Sequence, residues 1–92
     1  MADIVYGMQG KVVVVTGGSR GIGLDLAKAL LAQQANVVIC GRKQEGLDAA
    51  LAQLDGTGQL LAVPAHIARE ADVERLFDQA LERFGRVDAL VN

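Results

Sequence analysis

Along most of the chain, unbroken apolar runs alternate with apolar positions spaced three and four apart. Residues 11–16 (KVVVVT) form a β-branched run between glycines, which predicts a strand buried on both faces of a parallel sheet. Residues 37–40 (VVIC) read the same way. Between these runs, Ile22, Leu26 and Leu30 recur every four residues with Ala27 and Leu31 beside them. That spacing predicts a helix from about Gly21, with Asp25 and Lys28 off its stripe. Leu47, Ala50, Leu51 and Leu54 predict a second helix, which Asp55, Gly56, Thr57 and Gly58 should end. Gln59 to Pro64 then reads as a third strand. The strongest helical pattern runs from Glu70 to Phe84, where Val73, Leu76, Phe77, Ala80, Leu81 and Phe84 share one side and charged residues the other. Gly85 should stop it, and Val87 to Val91 is the fourth predicted strand.

The order β-α-β-α-β-α-β, joined by right-handed crossovers, predicts an α/β protein of the Rossmann-type three-layer αβα class. Its parallel sheet should run in the order 3-2-1-4 and be truncated after the fourth strand. With 92 residues there is room for one domain, whose stability margin should be thin. Disorder is excluded by 51% apolar residues against 22% charged. A net charge of −2 gives no overall basic field, so neither a nucleic acid nor a membrane surface is expected as a partner. The only cysteine, Cys40, has no internal partner, which fits a reduced, cytoplasmic setting. The first residues lack the basic start and apolar run of a secretory signal, and no apolar stretch is long enough to span a membrane.

The most informative segment is residues 16–23 (TGGSRGIG), at the junction of the first strand and first helix. Gly17 permits a tight turn off the strand, Gly21 lets backbone approach a phosphate, and Gly23 allows the helix to pack close to the sheet. Free N–H groups of the first helical turn, with the helix dipole, would face a pyrophosphate. Such a string alone often marks only a turn. Here it lies between a predicted strand and helix, and a second strand ends about 20 residues later, as dinucleotide binding requires. A P-loop is excluded because no Gly-Lys-Ser/Thr follows the glycines. Residues 1–9 are accordingly a lead, and residues 10–92 a dinucleotide-binding half-domain.

Cofactor choice depends on the end of the second strand, where an Asp or Glu would bond the adenosine ribose and repel a 2′-phosphate. Gly41, Arg42 and Lys43 stand there instead. Arg42, with Arg20 or Lys43, offers charge-assisted hydrogen bonds to a 2′-phosphate, so NADP(H) is preferred and NAD(H) remains open. The alternative for Arg42 and Lys43 is the start of a solvated helix. A methyltransferase-like domain is disfavoured by the same missing acid.

Together, residues 10–23, Gly41 to Lys43 and residues 84–92 (FGRVDALVN) resemble the short-chain dehydrogenase/reductases. The resemblance implies that Gly17, Ser19, Arg20, Gly21, Ile22 and Gly23 line the cofactor phosphates, that Arg42 meets the 2′-phosphate, and that Asn92 supports sheet and cofactor. Where the family has Asp-Val to hold adenine, this chain has His66 and Ile67. Two readings stand for His66: a contact to adenine through either ring nitrogen, or a solvated strand end. Ile67 keeps its backbone N–H for the cofactor. The same pair, beside Arg42-Lys43-Gln44, resembles a branch containing carbonyl and retinal reductases. A Ser or Thr would normally cap the next helix where Ala68 stands, and losing that cap should cost about 1 kcal/mol.

In the family, a Tyr-x-x-x-Lys pair with a Ser and an Asn carries out hydride transfer between a small carbonyl and an alcohol. The one tyrosine here, Tyr6, precedes the first strand and has Gly10 four residues on, so no catalytic residue is assigned. The resemblance thus implies the NADP(H)-binding portion of an oxidoreductase, inactive by itself, with the substrate bound only in the full-length context. The alternative is a non-catalytic nucleotide-binding module acting through partner contacts. An apolar fourth strand with one unpaired edge is expected to promote self-association into homo-oligomers.

Overall fold

A computed structural model describes residues 7–17, 19, 21–54 and 57–92. The strands are β1 (Val12–Thr16), β2 (Asn36–Gly41), β3 (Leu60–Pro64) and β4 (Ala89–Val91); the helices are α1 (Gly21–Ala32), α2 (Gln44–Gln53) and α3 (Glu70–Phe84). All strand pairs are parallel and the sheet order is β3-β2-β1-β4, as the sequence predicts.

Alternation along β1 and β2 divides the interior into two cores. Val13, Val15, Val37 and Ile39 face α1 and α2, where they meet Leu24, Ala27, Leu30 and Leu47. Val12, Val14, Val38 and Cys40 face α3 through Leu76 and Ala80. Both strands are therefore buried on both faces, which is why they read as unbroken apolar runs.

The helical stripes need correction in detail. Ile22 is 88% exposed, and the residues of α1 that pack on the sheet are Leu24, Ala27, Leu30 and Leu31. At about 100° per residue, Leu24, Ala27, Leu30 and Leu31 fill an arc of about 120° around the helix, and Ile22 falls about 80° outside its nearer edge. Leu51 and Leu81 lie at the rims of their stripes and are exposed for the same reason. α2 closes on Leu54 in an extended conformation, while Asp55 and Gly56 lie outside the described residues. Gln59 belongs to a short 3-10 turn rather than to β3, and its amide donates to the Ala35 carbonyl.

The fourth strand is shorter than predicted. Val87 precedes it, and Asp88 is used as a clamp: its carboxylate accepts the Val12 N–H at 2.8 Å while its own N–H donates to the Val12 carbonyl at 2.8 Å. Gly85, left-handed at φ 79°, ends α3 where the sequence predicts. Among the described residues, no helix is long and apolar enough to cross a membrane.

Leu76 is 1% exposed and Leu81 47% exposed, although the sequence places them on one stripe. Leu76→Ala should cost about 2–5 kcal/mol, and Leu81→Ala less than about 1 kcal/mol. Urea unfolding midpoints of the two variants check this ordering.

Candidate functional site

The C-terminal ends of the strands lie side by side because the parallel register pairs Thr16 with Cys40 and Gly41 with Pro64. Two hydrogen bonds carry the pairing one residue further, from Gly17 N–H to the Cys40 carbonyl at 3.2 Å and from Ala65 N–H to the Gly41 carbonyl at 2.9 Å. The sheet order reverses at β1, so this end of the molecule is the switch point where an open α/β sheet leaves a crevice.

A groove of about 800 Å3 occupies that crevice. Gly17 and Ser19 form one wall and Gly41, Arg42 and Lys43 another, with Ala65 and Ile67 from the end of β3 beyond them. Gly17 (φ 69°) and Gly21 (φ 62°) both adopt left-handed backbone, so glycine at these two positions is a conformational requirement of the turn. A Cβ at Gly41 would stand 3.4 Å from Ser19 Oγ and 3.5 Å from Leu47, in ordinary van der Waals contact with both.

Five of the eleven sequence-predicted site residues line this groove. Gly17, Ser19, Arg42, Lys43 and Ile67 line the groove, and Gly21, Ile22 and Gly23 form the first turn of α1. Arg20 lies outside the described residues. Asn92 follows β4 and does not line the groove; its Oδ1 is 3.1 Å from Thr16 Oγ1, which is also 3.2 Å from the Val91 carbonyl. His66 lines a smaller neighbouring groove instead.

Sequence reasoning missed Gly46, Ala49 and Gln53, which present one face of α2 to the large groove. Their three- and four-residue spacing was a readable signal: small side chains at 46 and 49 leave room over the crevice. Cys40 also lines the groove, and burial pushes its thiol above its ordinary value of 9.0, partly opposed by a backbone hydrogen bond from Gly17. It therefore adds no charge at neutral pH. Among the described residues, Arg42 and Lys43 are the charged residues lining the groove, and no carboxylate does so.

His66 shapes the turn from β3 into α3. Its N–H donates to Asp72 Oδ2 at 2.7 Å, its Nδ1 accepts the Ala68 N–H at 3.2 Å, and its carbonyl accepts the Arg69 N–H at 2.9 Å. With Nδ1 accepting, the neutral ring carries its proton on Nε2. The helix cap is Arg69 rather than Ala68, and it makes no side-chain cap bond. His66 and Asp72 bind the turn's N–H groups in its place, which is how α3 begins without Ser or Thr.

A family profile described as "short chain dehydrogenase" matches residues 11–92. This chain belongs to the short chain dehydrogenase family. A short chain dehydrogenase/reductase of Macrophomina phaseolina (strain MS6) is 45% identical over 87 residues, covering 92% of this chain and 50% of that protein. A short chain dehydrogenase from Bacillus anthracis superposes with a TM-score of 0.86 at 38% identity, over 91% of this chain and 35% of that one. The 3-ketoacyl-(acyl-carrier-protein) reductase of Brucella melitensis, solved with NADH, gives 0.83 at 37% identity, over 91% of this chain and 34% of that one. The chain thus spans half or less of each of these family members, and the part it spans is an oxidoreductase family's NAD(P)-binding fold.

Two carboxylates near the strand ends carry a pH dependence. Asp88 is held below its ordinary value of 3.8 by the Arg86 guanidinium, then by the Val12 N–H; Asp72 is lowered first by the His66 N–H and next by Arg75. A carboxyl depressed in the folded state stabilises above its unfolded value, and that contribution is lost as pH falls through the folded one. Urea midpoints should therefore fall progressively below about pH 5. Asp88→Asn should flatten part of that fall, and unchanged acid sensitivity in the variant would contradict the assignment.

Proposed function

We propose that this chain is the NADP(H)-binding part of an oxidoreductase that interconverts a small carbonyl and an alcohol by hydride transfer. One observation carries the reading: the left-handed glycine turn at Gly17 and Gly21 opens onto a groove whose charged lining, among the described residues, is Arg42 and Lys43 with no carboxylate. Two glycines in that conformation keep the backbone bare where a pyrophosphate approaches, and the first turn of α1 has N–H groups without intrahelical partners.

The residues fit the cofactor in charge and shape. Ser19 stands at the phosphate end of the groove, Ile67 at its β3 end, and the Gly46–Ala49 face of α2 offers a low apolar wall. Gly41 in place of an acid removes both a ribose partner and the repulsion of a 2′-phosphate. When bound, NADP(H) supplies or accepts the hydride. Ser19, Gly21, Ile22 and Gly23 are proposed to hold its phosphates, Arg42 and Lys43 its 2′-phosphate, and Ile67 its adenine end, with Arg20 and Asn92 in the supporting roles that the family pattern gives them.

The 92 residues contain no Tyr-x-x-x-Lys pair, so the chain by itself is proposed to bind cofactor without turning it over. That observation also supports a second reading, a nucleotide-binding module that acts through partners.

Fluorescence titration of the purified chain with NADPH and NADH tests the proposal. NADPH should bind more tightly, and Arg42→Asp should weaken NADPH by about tenfold or more while leaving NADH within about threefold. Equal losses for both cofactors would contradict the 2′-phosphate assignment.

A further inference from the structure

Next to the cofactor groove is a smaller one of about 350 Å3, and the two share Arg42, Lys43 and Ala65. Among the described residues, its lining brings four cations, Arg42, Lys43, Arg69 and Arg75, around a single carboxylate, Asp72. The register explains the arrangement. Gly41 pairs with Pro64, so the turn that starts α2 and the turn that starts α3 leave adjacent strands side by side.

These cations are not equivalent. Arg75 is committed: its Nη2 donates to the Pro64 carbonyl at 2.6 Å and lies 3.6 Å from Asp72. Asp72 is committed as well, to the His66 N–H and to Arg75, and it feels Arg69 only as the weakest of the charges around it. Arg42, Lys43 and Arg69, by contrast, make no side-chain hydrogen bond or ion pair within the described residues. Lys43 and Arg69 are moreover the cap residues of α2 and α3, and neither side chain caps its helix. Three cations on two neighbouring turns, none of them in an ion pair within the described residues, repel one another and focus a positive field into the groove they share.

A phosphate monoester is the ligand that this field suits. It carries nearly two negative charges near neutral pH and three acceptor oxygens, more than one guanidinium can satisfy. We propose that Arg69 is a second wall of the 2′-phosphate subsite, meeting from the α3 side the same phosphate that Arg42 and Lys43 meet from the β2 side. Arg69 is then a determinant of NADP(H) preference, an inference that rests on reading the larger groove as the cofactor site. Arg75 positions the turn by holding Pro64 and Asp72, and it keeps Asp72 from pairing with Arg69.

The test uses the full chain, titrated with NADPH and NADH, in wild type, Arg69→Gln, Arg69→Lys, Arg42→Asp and a charge control, Lys28→Gln, on the exposed side of α1. Arg69→Gln should weaken NADPH by about tenfold and leave NADH unchanged. Arg69→Lys should lose less, and Lys28→Gln should change neither affinity. Loss of preference in Arg42→Asp with NADPH affinity in Arg69→Gln within about twofold of wild type would overturn the role of Arg69 and leave the cofactor reading standing. An equal loss of both cofactors in Arg69→Gln would also overturn it, since that marks a residue shaping the turn. A wild-type chain that binds NADPH no better than NADH overturns the cofactor reading and this inference together.

Discussion

The backbone of β1 is hydrogen-bonded on both sides, to β2 and to β4, while its side chains alternate between two cores. Val12, Val13, Val14 and Val15 are each no more than 1% exposed, so neither layer of helices packs correctly unless this strand is in register. That register places the end of β1 level with the end of β2, and hence Gly17 beside Cys40. The crevice is a consequence of the strand order, since chain growth reverses direction at β1. The Asp88 clamp binds β4 to the same strand through the Val12 backbone, which links the last element of the chain to the first.

Much of this was legible in the sequence because two rules apply without competition. A strand buried on both faces has to be apolar throughout, and β1 and β2 are. A left-handed turn off such a strand favours glycine, and Gly17 and Gly21 are at the two positions that need it. The helix faces were less legible. Ile22 fits an every-fourth-residue row as well as Leu26 does, and only the packing of Leu24 and Ala27 on the sheet shows which row is buried. The polar details of the α3 turn were hidden for a different reason. No local pattern tells that a histidine ring nitrogen and an aspartate six residues on will take the N–H groups a serine cap would otherwise bind.

The candidate site was readable in its glycines and its basic residues, and unreadable where it depends on adjacency. Gly46 and Ala49 become groove lining because α2 lies over the end of β2, and Arg69 joins Arg42 because β2 and β3 pair as they do. Charge follows the same logic. The chain is net negative, yet the end of the sheet that bears the crevice gathers its cations on two neighbouring turns. Family membership fits this division, since the matched residues include every strand and helix that builds the crevice.

The central claim is that the glycine turn at the end of β1 holds the phosphates of a dinucleotide. Its most direct test is an amide nitrogen–proton NMR spectrum of the labelled chain with and without NADPH. Shifts should be concentrated at Gly17, Gly21, Ile22, Gly41, Arg42 and Ile67, with Gly10, Gln34 and Gly58 at the opposite end of the sheet unmoved. A folded chain whose spectrum does not change, or whose shifts gather at that opposite end, would contradict it.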